Sequence, residues 1–103
     1  MNNITKNQLF LNVQSSSKQF KYKNLFKIRY SQTAPLYVGF IINKKLGPAV
    51  FRNKLKRQVR EHYKKMNQDM PVSIIFQALS SKINKNNLKS GFKRFILLLG
   101  GTF

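Results

Sequence analysis

Aromatic and cationic residues alternate between positions 20 and 30, and this period of two constrains the fold more than any other feature. Phe20, Tyr22, Phe26, Ile28 and Tyr30 share one parity, and Lys21, Lys23, Lys27 and Arg29 share the other, with Leu25 the exception. Successive side chains of a β-strand point to opposite faces, so the pattern predicts a strand over 20–30 whose aromatic face enters a core. The cationic face is open to two readings: a solvated outer surface, or a floor on which a polyanion rests.

The remaining segments supply partners for that aromatic face. A short helix is expected over 5–14, with Thr5 as its N-cap and Leu9, Phe10 and Val13 on one side, ended by the serines at 15–17. A strand over 36–42 follows Pro35. It is apolar on both parities, which predicts a central position. Gly39 within it suits either a close backbone approach or plain tolerance. A helix over 50–66 carries two arcs. Phe51, Leu55, Val59, His62 and Met66 form an apolar one, with Tyr63 at its edge. Arg52, Asn53, Lys56, Arg57, Arg60 and Lys64 form an adjoining basic one. A strand over 72–76 and a helix over 87–99 complete the chain, the helix striped by Leu88, Phe92, Phe95, Ile96 and Leu99 and halted by Gly100 and Gly101. The order helix, strand, strand, helix, strand, helix predicts an α/β fold (an α+β sandwich), a small mixed sheet packed with about three helices. At 103 residues with 42% hydrophobic content, one domain over 1–103 is expected.

Charge decides the class of partner. Twenty Lys and Arg stand against Asp69 and Glu61, a net charge of +18. Self-repulsion on that scale calls for an anionic partner. With no Cys, disulfides, thiolate metal sites and cysteine nucleophiles are excluded. One His and two acids leave no carboxylate cluster to hold paired metals, so a protein-only nuclease built on Glu61, Asp69 and His62 has no two-metal site. No cofactor or metal bound by the protein itself is expected. The longest apolar run, 95–99, is too short to span a bilayer, and 9–11 is too short for a signal-peptide core. A cytoplasmic protein without a membrane partner is the expectation.

The cations concentrate at 44–64. A loop with Lys44 and Lys45 leads into a helix whose first turns carry Arg52, Lys54, Lys56, Arg57 and Arg60. The helix N-terminus adds unpaired N–H groups and partial positive charge. Cations one turn apart, about 6 Å, match successive phosphates of an RNA strand, and acids at i,i+4 that would neutralise the face are absent. Asn53 either reads a base or sugar edge or bonds within the protein. His62, in the apolar arc, reads as a packed histidine. Tyr22, Tyr30 and Tyr37 either stack on bases or belong to the core.

The run Lys44-Lys45-x-Gly47-x-Ala49-Val50-x-Arg52-Asn53-x-x-Lys56-Arg57-x-x-Arg60-Glu61 resembles the signature of the protein component of bacterial ribonuclease P. A weaker likeness extends over nearly the whole chain. Lys54 stands where the family's box has its second Arg, keeping the charge without the bidentate fork. Ser17 replaces a common Gly, and Gln77 a common Arg. The resemblance implies a left-handed β-α-β crossover around the box helix, an exception to the usual right-handed rule. It also implies an activity: removal of the 5′ leader of precursor tRNA by a ribonucleoprotein endoribonuclease. In that enzyme the RNA subunit, with Mg2+, performs the hydrolysis, and the protein contributes no catalytic side chain. Lys44, Lys45, Arg52, Asn53, Lys54, Lys56, Arg57, Arg60 and Lys64 would bind RNA. Phe10, Lys27, Arg29, Lys56 and Arg60 would line the leader path. The partners implied are the RNA subunit and the precursor tRNA leader, not DNA. The alternative reading is a ribosomal or nucleoid-type basic protein that holds nucleic acid through charge, indifferent to a tRNA leader.

Overall fold

A computed structural model of the chain describes residues 11, 13, 18–32 and 36–100. The elements are β1 (Gln19–Tyr22), β2 (Phe26–Ser31), β3 (Val38–Ile41), a 3-10 turn (Lys44–Leu46), α1 (Ala49–Asp69), β4 (Ser73–Ala78) and α2 (Lys85–Leu98). The four strands form one mixed sheet in the order β1-β2-β4-β3. Two helices, not three, are described in full. Of the helix expected over 5–14, Leu11 and Val13 are helical, and the rest lies outside the described residues.

The alternating segment is a hairpin rather than the single strand expected. Lys23 takes a positive φ of 51°, and the Leu25 N–H donates to the Tyr22 carbonyl at 3.1 Å. The chain then returns antiparallel, with Tyr22 opposite Phe26 and Phe20 opposite Ile28. Residues in register share a face, so the turn at 23–25 folds the strand without disturbing the parity. Leu25, the one break in the alternation, marks the turn.

The parity face carries the core. Phe20, Tyr22, Phe26, Ile28 and Tyr30 join Ile74, Phe76 and Ala78 of β4 on one side of the sheet. Both helices pack there. The Phe26 ring lies 5.0 Å from Phe76 and 6.3 Å from Phe92, and Phe95 meets Phe20 at 5.5 Å and Tyr30 edge-on at 5.1 Å. Such pairs add roughly 0.5–1.5 kcal/mol each beyond the area they bury. α2 sits so close to the hairpin that a Cβ at Gly91 would collide with the Phe26 ring and crowd Tyr22. A reciprocal capping box starts this helix: Asn84 Oδ1 accepts from the Asn87 N–H and Asn87 Oδ1 from the Asn84 N–H, both at 2.9 Å.

β3 is the edge strand of the described sheet, not a central one; β4 is central, pairing antiparallel with β2 and parallel with β3. The apolar character of β3 on both parities has another cause: each face has its own cover. Phe40 lies beneath the Arg60 guanidinium, 5.0 Å from the ring centroid, and on the opposite face the Tyr37 ring occupies the space over Gly39. The close neighbour of Gly39 is therefore an aromatic ring and not a second backbone. The Tyr37 N–H donates to the buried Ser73 hydroxyl at 2.9 Å, which ties the start of β3 to β4. Because β3 and β4 run parallel and are joined through α1, the unit is a β-α-β crossover.

Candidate nucleic-acid interface

α1 positions most of the cations, and its buried side explains why they all face out. Leu55, Val59 and Met66 are 4% exposed or less and lock one face of the helix into the core. At about 100° per residue, that lock leaves Arg52, Lys56, Arg60 and Lys64 along one flank, with Asn53 and Arg57 beside them. Asn53, Arg57, Arg60 and Lys64 are exposed, and Arg52 and Lys56 are half-buried. Arg60 stands over Phe40, so the flank runs beside the β3 edge.

The approach to the helix is ordered by short-range bonds. Asn43 Oδ1 accepts from the Lys45 N–H at 2.9 Å and holds the turn bearing the exposed Lys44 and Lys45. The Arg52 Nε–H donates to the Gly47 carbonyl at 3.2 Å, fastening the loop to the helix. A side chain at Gly47 would meet the Phe51 ring. The N-cap is Pro48, which gives no side-chain bond, and the first turn holds no acid. The opening N–H groups of α1 therefore point outward unneutralised beside Lys44 and Lys45. Val50 is 78% exposed at this point, an apolar side chain set among cations.

Lys27 and Arg29 sit elsewhere. Lys21, Lys27 and Arg29 lie on the sheet face opposite the helices, Lys27 in register with Lys21 and Gln77, Arg29 with Gln19 and Ile75. Both are half-buried. The strand order puts β4 and β3 beyond them, so they stand two strand spacings, about 10 Å, from the edge where Arg60 lies. The structure thus gathers Arg52, Lys56, Arg60 and Lys64 on one flank of α1, sets Lys54 on the other, and leaves Lys27 and Arg29 on the sheet face opposite the helices. Phe10, the remaining residue of the expected leader path, lies outside the described residues.

His62 is packed, as its place in the apolar arc predicts. Its ring stacks on Phe92 at 5.2 Å and 13°. Burial is the main cause that lowers its pKa below the ordinary histidine value. Lys65 and Lys89 push the same way, and Glu61 opposes them. Tyr63 is pushed up by burial. Tyr22 and Tyr30 belong to the core: Tyr22 packs on Phe26 at 5.4 Å and Tyr30 on Phe95. Among the described residues no group of three or more His, Cys, Asp or Glu is placed to hold a metal ion, and no helix is long and apolar enough to cross a membrane.

One feature was not legible from sequence. On the other flank of α1, Lys54, Gln58 and Glu61 face Ile83, Asn84 and Lys85 across an open groove of about 610 Å³. Residues some thirty positions apart meet there, and no local pattern announces such a meeting.

The family model described as Ribonuclease P matches residues 1–99. The ribonuclease P protein component of Brevibacillus brevis is 34% identical over 73 residues, covering 69% of this chain and 58% of that protein. That of Kocuria rhizophila is 41% identical over 49 residues, covering 48% and 43%. The matched stretches thus span about half the length of these relatives. Among solved structures, the RNase P protein of Staphylococcus aureus superposes with a TM-score of 0.73 at 22% identity, covering 93% of each chain. That of Thermotoga maritima gives 0.69 at 18%, covering 92% of this chain and 94% of that one. At these identities the structural likeness speaks for the fold.

Proposed function

The chain belongs to the protein-component family of bacterial ribonuclease P, and on that premise we propose that it binds the catalytic RNA subunit and the 5′ leader of precursor tRNA and promotes removal of the leader. The hydrolysis belongs to the RNA subunit and its Mg2+. The protein contributes charge and shape. Two RNAs repel one another, and a chain of net charge +18 between them lowers the Mg2+ needed to bring them together.

The observation that carries this reading is the cationic flank of α1, held outward by the burial of Leu55, Val59 and Met66. Lys44, Lys45, Arg52, Asn53, Lys54, Arg57 and Lys64 are assigned to the RNA subunit. Lys56 and Arg60, together with Lys27, Arg29 and Phe10, are assigned to the leader. Arg60 stands at the β3 edge on the helix side and the cations of β2 on the opposite face of the sheet, so a leader that touches both passes around that edge. The fold is read with the crossover through α1 left-handed, as the family resemblance implies, and with one cytoplasmic RNA-binding domain over 1–103.

The experiment is reconstitution of the full chain with a bacterial ribonuclease P RNA at low Mg2+, using precursor tRNAs with leaders of different length. Stimulated cleavage that grows with leader length up to a limit is expected. Absence of stimulation refutes the assignment, and equal binding of any long RNA or DNA, with or without a leader, favours a charge-only binder.

A further inference from the structure

The groove on the second flank of α1 has a composition that the basic arc does not explain. Its floor is apolar: Leu55 and Ile83 are 2% and 5% exposed, with the half-buried Phe51 ring beside them. Its two banks are cationic, Lys54 and Arg57 on α1 and Lys85 at the start of α2. Glu61, the only acidic side chain among those described, lines it as well.

An apolar floor with an aromatic ring suits the face of a nucleobase. Lysines on both banks suit the phosphates either side of it. A volume of about 610 Å³ lies within the range of small-molecule sites. The carboxylate selects among bases. It presents two acceptors side by side and no donor. Guanine is the one common base with two adjacent donors on its pairing edge, the ring N1–H and the 2-amino group. Adenine and cytosine place an acceptor beside their amine, and uracil flanks its single N–H with two carbonyls, so each sets an oxygen or nitrogen lone pair against the carboxylate.

We propose that the groove between α1 and α2 holds an unpaired guanine nucleotide of a single-stranded RNA segment, its base against Phe51 and Ile83, its N1–H and 2-amino group donating to Glu61, and its flanking phosphates on Lys54 and Lys85. The inference rests on the reading of the chain as an RNA-binding protein and adds a site, a base and a residue role to it. The site lies on the flank of α1 opposite to Arg52, Lys56 and Arg60.

The test is a titration of the isotope-labelled full chain, followed through backbone amide shifts, with nine-residue RNAs of uridine carrying one central guanosine, adenosine or inosine, and with guanosine monophosphate. The guanosine oligomer is expected to shift the amides of Phe51, Glu61, Ile83 and Lys85. Inosine, which lacks the 2-amino group, is expected to bind the groove about tenfold more weakly. Glu61→Ala should erase the guanosine–inosine difference, while Lys85→Gln should weaken all oligomers about equally and lower their salt slope. Silent groove amides, or discrimination that survives in Glu61→Ala, overturns the proposal. Guanosine monophosphate binding as tightly as the oligomer overturns the RNA assignment in favour of a free nucleotide. Cleavage in the reconstituted ribonucleoprotein is read separately: if it fails while guanosine discrimination holds, the groove stands and the leader-removal reading falls.

Discussion

Gly91→Ala is expected to destabilise the protein, although the substitution ordinarily strengthens a helix. Gly91 lies inside α2, where alanine in place of glycine is worth about 1 kcal/mol in propensity. The added methyl would meet the Phe26 ring, with Tyr22 next to it. Phe26 cannot yield, because its side chain is fully buried and wedged between Phe76 and Phe92. Overpacking a filled core costs about 1–3 kcal/mol, and a ring confined on both sides puts this site at the upper end. The net loss is about 1–2 kcal/mol, or a fall in Tm of about 5–15 °C for a domain of this size. Thermal unfolding by circular dichroism at fixed salt and fixed sulfate reads it. The double variant with Phe26→Leu, which vacates part of the ring's volume, should recover some of the loss relative to Phe26→Leu alone. A Tm raised by Gly91→Ala would refute the close approach of α2 to the hairpin.

Three further outcomes are expected. His62, the only histidine, is held below its ordinary pKa by burial first and by Lys65 and Lys89 second, against Glu61. The unfolded chain therefore binds the proton first, so its contribution is complete above about pH 6.5 and declines as pH falls through the lowered folded value. Wild-type Tm should drop between pH 7 and pH 5 more than that of His62→Phe, and equal drops would contradict the packing of His62 on Phe92. Sulfate or phosphate should raise the Tm by occupying cation sites and relieving self-repulsion, and a Tm indifferent to sulfate would speak against anion sites on the surface. Arg57→Ala should weaken binding to the RNA subunit and reduce the salt slope by about one unit, and unchanged binding would remove that face from the contact.

The sequence reveals those parts of the fold whose signals are local. The parity of 20–30 names the core face correctly even though the segment is a hairpin, because the turn at 23–25 restores the register at Tyr22 and Phe26. The turn itself has no Gly; Lys23 adopts the positive φ that glycine usually supplies, so in the alternation only Leu25 betrays it. The edge position of β3 was hidden for a different reason. An apolar run on both parities reports that both faces are covered, and at Phe40 and Gly39 the covers are Arg60 and Tyr37, not neighbouring strands on either side. The sequence pattern starts α2 at 87, two residues beyond Lys85, because the Asn84 and Asn87 cap reads as a polar break until its reciprocal bonds are seen. In the candidate site, the flank of Arg52, Lys56 and Arg60 follows from helical spacing alone. The groove does not, since it depends on how the loop at 79–84 returns Ile83 and Lys85 to α1.

RNA binding here depends on α1 carrying Arg52, Lys56 and Arg60 outward as a unit. The direct measurement is the salt dependence of binding between the full chain and a ribonuclease P RNA subunit, compared with the triple variant Arg52→Gln, Lys56→Gln, Arg60→Gln at equal Tm. A steep slope is expected for the wild type, reduced by about two to three units in the variant, together with loss of cleavage stimulation at low Mg2+. A variant that keeps the wild-type slope and stimulation would show that the RNA is held elsewhere on the protein.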